Sequence, residues 1–263
     1  MFVNCAAAKK IYVYDLSGNF KRSFAHPKDT EYMDVLNYDK DNLICYDASV
    51  YYKDGQSREE GKSYHSLISK KDGSVTRDIY LPYDIIKTPC VHQGDGVAMT
   101  SVRPIIPNRG EWLLVDCSSD TVYNYVPEKN KLVPFFVKAP TKDPEILLTM
   151  GAVTDRYYFL HTVKKEFDFT TGRGFFMNDF MYDKQTNELY EAKVLNSDFV
   201  KKRSVDMFLH PINNNGIAAV QTLSAGQLVE AYQEDGLKGR LKEVAAGLDE
   251  ESNPVVMLVK YKN

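Results

Sequence analysis

Short runs of alternating apolar and polar residues, separated by turn-forming residues, recur along the chain and predict β-hairpins. Residues 11–15 carry aromatic and β-branched side chains, residues 17–19 suit a tight turn, and residues 20–24 continue as a second run. The same unit recurs at residues 64–81, 121–137 and 175–195. The turns of the four hairpins are centred on Gly18, Gly73, Asn130 and Asn187, which are 55, 57 and 57 residues apart.

A second series of turns lies between the first, and each is followed by a β-rich run. These turns are Asp41-Asn42, Gly94-Asp95-Gly96, Asp155-Arg156 and Asn214-Asn215-Gly216, and from Asn42 through Gly96 and Arg156 to Gly216 they are 54, 60 and 60 residues apart. Two interleaved series of one period predict four antiparallel strands in each repeat of about 55–60 residues. Stacking such sheets around an axis buries both faces of each, which predicts a β-propeller. An immunoglobulin-like sandwich is the alternative, but it would not need so long a repeat.

The pattern becomes helical near the C-terminus. Apolar residues recur there every three or four positions, which predicts a helical insert near residues 224–247. Ser224 and Gln227 fit a capping box at its start. The run at residues 255–259 predicts a final strand.

The repeats predict an all-β fold, a single propeller domain over residues 1–263 with about 4.5 blades of four antiparallel strands. The segments are an outer hairpin at 11–25, three full blades near 31–82, 90–138 and 146–196, and inner strands at 205–222. An open ring would expose two apolar blade faces to water. Either the N-terminal hairpin pairs with residues 205–222 and closes a small ring, or upstream sequence is missing and the ring is an incomplete one.

Composition and charge exclude several classes of protein. The 263 residues carry a formal net charge of −3, which provides no field to attract nucleic acid. No apolar run approaches the roughly 18 residues of a membrane-spanning helix. The four cysteines are far apart and do not indicate a disulfide framework. Residues 1–10 lack the features of a secretion signal, which predicts a cytoplasmic protein if the chain is complete.

Three segments resemble a known family. Residues 118–123 with Leu132-Val133-Pro134, residues 253–258 and the hairpin at 11–24 are similar to motifs of the six-bladed β-propeller family abundant in Bacteroidetes. The resemblance implies that fold and a location in the periplasm or at the cell surface, but it carries no catalytic residue. Members of that family are longer at the N-terminus and begin with a lipoprotein or secretion signal. The resemblance therefore implies that this chain lacks one or more N-terminal blades.

The candidate chemistry of the sequence is sparse. No catalytic, nucleotide-binding or metal-ligating motif occurs, so neither catalytic residues nor a metal or cofactor is predicted. A long loop is predicted at residues 102–112, where Arg103, Arg109 and Trp112 suit recognition of a carboxylate, phosphate or sugar. The alternative is a loop that covers a neighbouring blade with Trp112 in the core. His92 and His210 precede inner turns, where residues of successive blades approach the axis.

These observations leave more than one function open. The favoured hypothesis is a non-enzymatic binding or interaction propeller of the bacterial envelope, whose ligand is an unknown peptide, glycan or protein. The alternative is a hydrolase or lyase with a cross-blade site at the axis, because propellers place residues of several blades around one channel. A truncated gene product without activity of its own is the third hypothesis.

Overall fold

The computed structural model describes residues 1–214 and 216–261, which form sheets of antiparallel strands. The first sheet has the order β1 (Phe2–Cys5), β2 (Lys10–Tyr14), β3 (Phe20–Ala25). The second has the order β4 (Tyr32–Asn37), β5 (Asn42–Asp47), β6 (His65–Ser69), β7 (Val75–Ile79). A separate hairpin of β8 (Cys90–Gln93) and β9 (Gly96–Met99) follows.

The remaining sheets continue this arrangement. The third sheet has the order β10 (Ile105–Asn108), β11 (Glu111–Leu114), β12 (Thr121–Val126), β13 (Lys131–Val137). The fourth sheet has the order β14 (Ile146–Val153), β15 (Tyr157–Lys164), β18 (Met177–Asp183), β19 (Glu188–Glu191). Between β15 and β18 the chain forms a separate hairpin of β16 (Phe167–Asp168) and β17 (Arg173–Gly174). A short hairpin of β20 (Leu195–Asn196) and β21 (Arg203–Ser204) precedes the fifth sheet.

The fifth sheet contains the predicted helical insert. Its strands are β22 (Pro211–Asn214), β23 (Ile217–Leu223) and β24 (Val255–Lys260), and helices α1 (Ala225–Gln233) and α2 (Gly239–Ala245) lie between the last two. The helices and the final strand were therefore predicted correctly. Ser224 has the extended backbone of an N-cap, but its side chain makes no capping hydrogen bond, so the capping box was wrong. Asn215, in the predicted turn at residues 214–216, lies outside the described residues.

The fold class is confirmed: the described residues form five propeller blades of three or four antiparallel strands. The first series of turns also forms where it was predicted. Gly18, Gly73, Asn130 and Asn187 all have positive φ, between 44° and 83°, which glycine and asparagine adopt at the least cost. The N-terminal hairpin takes β1 as its third strand, while the last sheet takes β24. The strands of the N-terminal hairpin therefore do not pair with the strands within residues 205–222.

The chain forms two compact units. Unit 1 comprises Met1–Ile105, Leu113–Glu145 and Lys165–Gly174, and unit 2 comprises the rest of the chain. The first and second sheets of unit 1 bury one apolar cluster, formed by Ile11, Val13, Phe24, Tyr32, Leu43, Cys45 and Ile68. Strand β5 is accordingly buried along almost its whole length, since neighbouring elements cover both its faces. In unit 2 the two helices bury their own cluster, centred on Leu228, Leu237 and Leu241.

The inner hairpin of the third blade differs from the prediction. The spacing of the second series placed its turn at Gly94-Asp95-Gly96, but that turn joins β8 to β9, which form a separate two-stranded sheet. The blade instead uses the turn at Arg109 and Gly110 between β10 and β11, so it begins at Ile105 rather than near residue 90. The residue patterns of both hairpins suit β-strands. Only the pairing of β11 with β12 places the second hairpin in the blade.

Candidate functional site

The connections at the two ends of each four-stranded sheet differ in length. In the second sheet, short turns at residues 38–41 and 70–74 lie at one end, while residues 48–64 and the segment after β7 connect strands at the other. The third and fourth sheets follow the same rule. In unit 1 the long connections are residues 48–64, 80–104, 115–120, 138–145 and 165–174, which we call the insertion face. Long connections on a rigid scaffold commonly carry binding residues.

Lys165 joins these connections to one another. Its Nζ lies 2.7 and 2.9 Å from the two carboxylate oxygens of Asp54 and 3.4 Å from Glu145, and its side chain is only 10% exposed. Asp54 also accepts hydrogen bonds from the backbone and the hydroxyl of Thr88, at 2.8 and 3.0 Å. Glu145 forms a second ion pair with Lys87, at 2.9 Å. The network links four of the five connections, and no local sequence pattern indicated it.

Ser118 attaches the fifth connection to the same network. Its Oγ accepts a hydrogen bond from the backbone N–H of Lys87 at 3.0 Å and lies 3.2 Å from the Lys87 carbonyl oxygen, to which it can donate. The hairpin of β8 and β9 also contacts the hairpin of β16 and β17, because a Cβ built on Gly96 of β9 would lie 2.9 Å from the ring of Phe169. The insertion face is therefore one connected surface of unit 1.

Arg103, in the connection at residues 80–104, forms a charged pair with Asp34 of β4. Arg103 Nη1 lies 3.9 Å from Asp34 Oδ1, and the two side chains are 30% and 24% exposed. Arg103 immediately precedes β10, the first strand of its sheet. Asp34 lies on β4, also a first strand, directly after a register shift at Met33, which redirects the following side chain. Burial raises the pKa of the Asp34 carboxyl, and the positive charge of Arg103 opposes that shift.

A buried polar cluster lies beside the segment that carries Arg103. The carbonyl oxygen of Pro104 lies 3.3 Å from His65 Nε2 and accepts a hydrogen bond from the backbone N–H of Val115. Asp116 is 5% exposed; its Oδ1 accepts from the backbone of Ser118, and its Oδ2 has no partner within the described residues. The contacts of His65 and Val115 hold the backbone of Pro104, directly after Arg103, in a defined position. Asp34 and Asp116 were not predicted as site residues, because neither forms part of a local motif.

Arg109 and Trp112 do not share a loop with Arg103. The predicted loop at 102–112 is wrong, because β10 and β11 occupy most of it and Arg109 lies in the tight turn between them, with φ of 55°. In unit 2 the Arg109 guanidinium lies 2.5 Å from Asp155 Oδ1 and 3.3 Å from the hydroxyl of Tyr261. Trp112 is 8% exposed on β11. The alternative prediction of a core position for Trp112 agrees with this burial.

The two candidate histidines are both exposed. His92 lies on β8 of unit 1, opposite the exposed Val97 on β9, and therefore belongs to the insertion face. His210 lies in unit 2, immediately before β22. Neither side chain has a hydrogen bond or an ion pair within the residues that the structure describes.

Three other histidines are buried, and their burial makes stability depend on pH. Burial lowers the pKa of His26, His65 and His161 below the ordinary value of 6.5, although nearby carboxylates oppose the shift. The unfolded chain therefore binds protons first as the pH falls through 6.5, and each histidine reduces the free energy of unfolding by up to about 1.4 kcal/mol at pH 5.5. We expect urea unfolding to show lower stability at pH 5.5 than at pH 7.5.

One substitution tests how much His161 contributes to the pH dependence of stability. His161 Nε2 is buried without a hydrogen-bond partner, and the ring lies 4.3 Å from that of Phe208. His161→Phe should therefore reduce the loss of stability between pH 7.5 and 5.5, whereas His92→Gln, at an exposed position, should leave it unchanged. An unaltered pH dependence in His161→Phe would show that this histidine is not a source of the effect.

Within the described residues, no group of three or more His, Cys, Asp or Glu side chains is arranged to hold a metal ion. The same residues include no helix that is long and apolar enough to cross a membrane. All four cysteines are free thiols.

Comparison with known proteins agrees with the propeller fold. Residues 1–218 match a family described as "6-bladed beta-propeller". A crystal structure from Bacteroides fragilis, described as a "Putative exported protein", superimposes with a TM-score of 0.58 at 13% sequence identity, covering 98% of this chain and 73% of that one. At this identity the likeness concerns the fold alone. No curated protein matches the sequence.

Proposed function

Since the chain belongs to the six-bladed β-propeller family, we propose that it is a non-enzymatic binding protein of the bacterial envelope. Its ligand, a peptide, glycan or partner protein, binds at the insertion face of unit 1. The observation that carries this proposal is the Arg103–Asp34 pair, two partly buried charged side chains that have no hydrogen bond within the described residues, with Arg103 on one of the long connections. Charged side chains without a hydrogen-bond partner in the described chain can bind a ligand through charge-assisted hydrogen bonds.

The proposed location rests on relatives. The Bacteroides fragilis protein of the same fold is described as a "Putative exported protein", and the sequence motifs are similar to those of an envelope-associated family of Bacteroidetes. The connected surface of long loops in unit 1 is suited to holding such a ligand.

The candidate site residues take different places in this proposal. Arg103 provides the positive charge that binds the ligand. His92 lies on the exposed hairpin of β8 and β9 in the same insertion face. Arg109 is assigned to holding its own turn, because Asp155 and Tyr261 occupy its guanidinium, and Trp112 is assigned to packing. His210 stays a prediction of a contact residue.

A thermal-shift screen of peptides and glycans tests the proposal. We expect at least one ligand to raise the melting temperature of the whole chain by about 5–10 °C at a concentration of about 100 times its Kd. Arg103→Gln should remove most of this shift, while Arg109→Gln, a change to a guanidinium that is already paired, should retain it. The absence of any shift across both panels would contradict a binding function, and a shift lost equally in both variants would contradict this site.

The same samples distinguish the enzymatic alternative. Mass spectrometry of each stabilising ligand after prolonged incubation should show only intact ligand. Hydrolysis or elimination products that depend on the protein would replace the proposal with a hydrolase or lyase.

A further inference from the structure

The N–H groups of Arg103 make no hydrogen bond within the described residues. Its Nη1 is 3.9 Å from Asp34 Oδ1, which exceeds hydrogen-bond range, and no acceptor among the described residues lies within range of its five N–H groups. The side chain is nevertheless only 30% exposed. Guanidinium groups in such surroundings commonly bind carboxylates or phosphates through two parallel hydrogen bonds. The unoccupied donors therefore favour an anionic group on the ligand.

Asp34 restricts which anion can bind. Its carboxylate also lacks a hydrogen bond within the described chain, and its Oδ1 lies 3.9 Å from Nη1 of Arg103. A doubly charged phosphate would be repelled by this second negative charge, while a singly charged carboxylate would be repelled less. A hydroxyl or N–H group beside the ligand carboxylate could donate to Asp34 and satisfy it.

We infer that Arg103 and Asp34 form a subsite for a carboxylate that carries a nearby hydroxyl or N–H donor. The inference rests on the binding function proposed above and specifies its chemistry. Arg103 donates to the carboxylate, and Asp34 accepts from the neighbouring donor. Two sources offer this chemistry, the C-terminal residue of a peptide and a uronic acid of a glycan.

Calorimetric titration of the whole chain with two matched pairs of probes tests the inference and separates the sources. The pairs are glycyl-L-alanine with its C-terminal amide, and D-glucuronate with D-glucose. We expect the carboxylate of one pair to bind at least tenfold more tightly than its neutral partner, since a hydrogen bond to a charged group contributes about 10-fold to 100-fold in affinity. The pair that shows this preference identifies the source.

Variants assign the preference to these two residues. Arg103→Gln should weaken the carboxylate probe by about 10-fold to 100-fold, Arg103→Lys by less because it retains the charge, and Asp34→Asn should weaken it measurably. Arg240→Gln, at a helix position 82% exposed in unit 2, should bind as the unmodified protein does. Melting curves establish that each variant is folded.

Two outcomes would overturn the inference and keep it separate from the proposed function. If neither carboxylate binds while another ligand of the screen stabilises the protein, the subsite is wrong and the binding function stands. If a carboxylate binds but Arg103→Gln leaves its affinity unchanged, the site lies elsewhere. If nothing binds in either experiment, both proposals fail.

Discussion

Gly151→Ala is expected to destabilise the protein by about 3 kcal/mol. A Cβ at this position of β14 would lie 2.4 Å from the carbonyl oxygen of Met207 and 2.6 Å from the ring of Phe208. The backbone cannot easily withdraw, because the same Met207 carbonyl accepts a hydrogen bond from the N–H of Ala152 at 2.8 Å. Thermal unfolding should show a melting temperature lower by roughly 6–12 °C.

Gly226→Ala is the matched control, because it adds the same methyl group where there is space. Gly226 lies in the first turn of α1, and its added Cβ would have only the Ser224 hydroxyl within contact range, at 4.0 Å. Alanine is favoured over glycine in a helix, so this variant should be unchanged or more stable by up to about 1 kcal/mol. Equal melting temperatures for the two variants would show that the segment of Met207 and Phe208 moves to accommodate the added methyl group at little cost in stability.

Lys165→Met is expected to cost about 2–3 kcal/mol and to loosen the insertion face. Removing one partner of a buried ion pair typically costs about 3–5 kcal/mol, and the partial exposure of Asp54, at 31%, reduces this figure. Asp54 and Glu145 would face each other's charge without the ammonium group between them. Hydrogen exchange should show faster exchange in residues 48–64, 80–104 and 165–174, together with a lower free energy of unfolding in urea.

Lys40→Met provides the comparison for this prediction. The Lys40 side chain is 90% exposed and only 3.9 Å from an exposed Asp41, so its loss should change stability by less than about 0.5 kcal/mol. If Lys165→Met behaves like Lys40→Met, the network does not hold the connections together. The insertion face would then have to be described as separate loops.

Local sequence features predicted much of the fold. Gly18, Gly73, Asn130 and Asn187 adopt the positive φ that their turns require, and they do so because glycine and asparagine tolerate this backbone conformation. The helical spacing near residues 224–247 appears in the structure as α1 and α2. These features depend on a residue and its close neighbours, and a pattern can therefore report them.

The third blade shows where local features were insufficient. The turn at residues 94–96 and the turn at Arg109 both join strands of suitable length, and the repeat spacing favoured the first. Only the pairing of β11 with β12 decides which hairpin enters the sheet. The error also displaced the site, because it placed Arg103 and Arg109 in one loop when β10 separates them.

The sequence by itself determined the alternation of the strands, the positions of most turns, the helical insert and the propeller class. The tertiary structure alone decided which carboxylate lies beside Arg103 and that His65 contacts the Pro104 carbonyl next to it. It also decided that Lys165 forms an ion pair with Asp54, which is 111 residues distant along the chain. The physical reason is that strand and turn preferences act between neighbouring residues. Charged partners are chosen by the packing of whole sheets and by the connections between them, and no spacing in the chain encodes that choice.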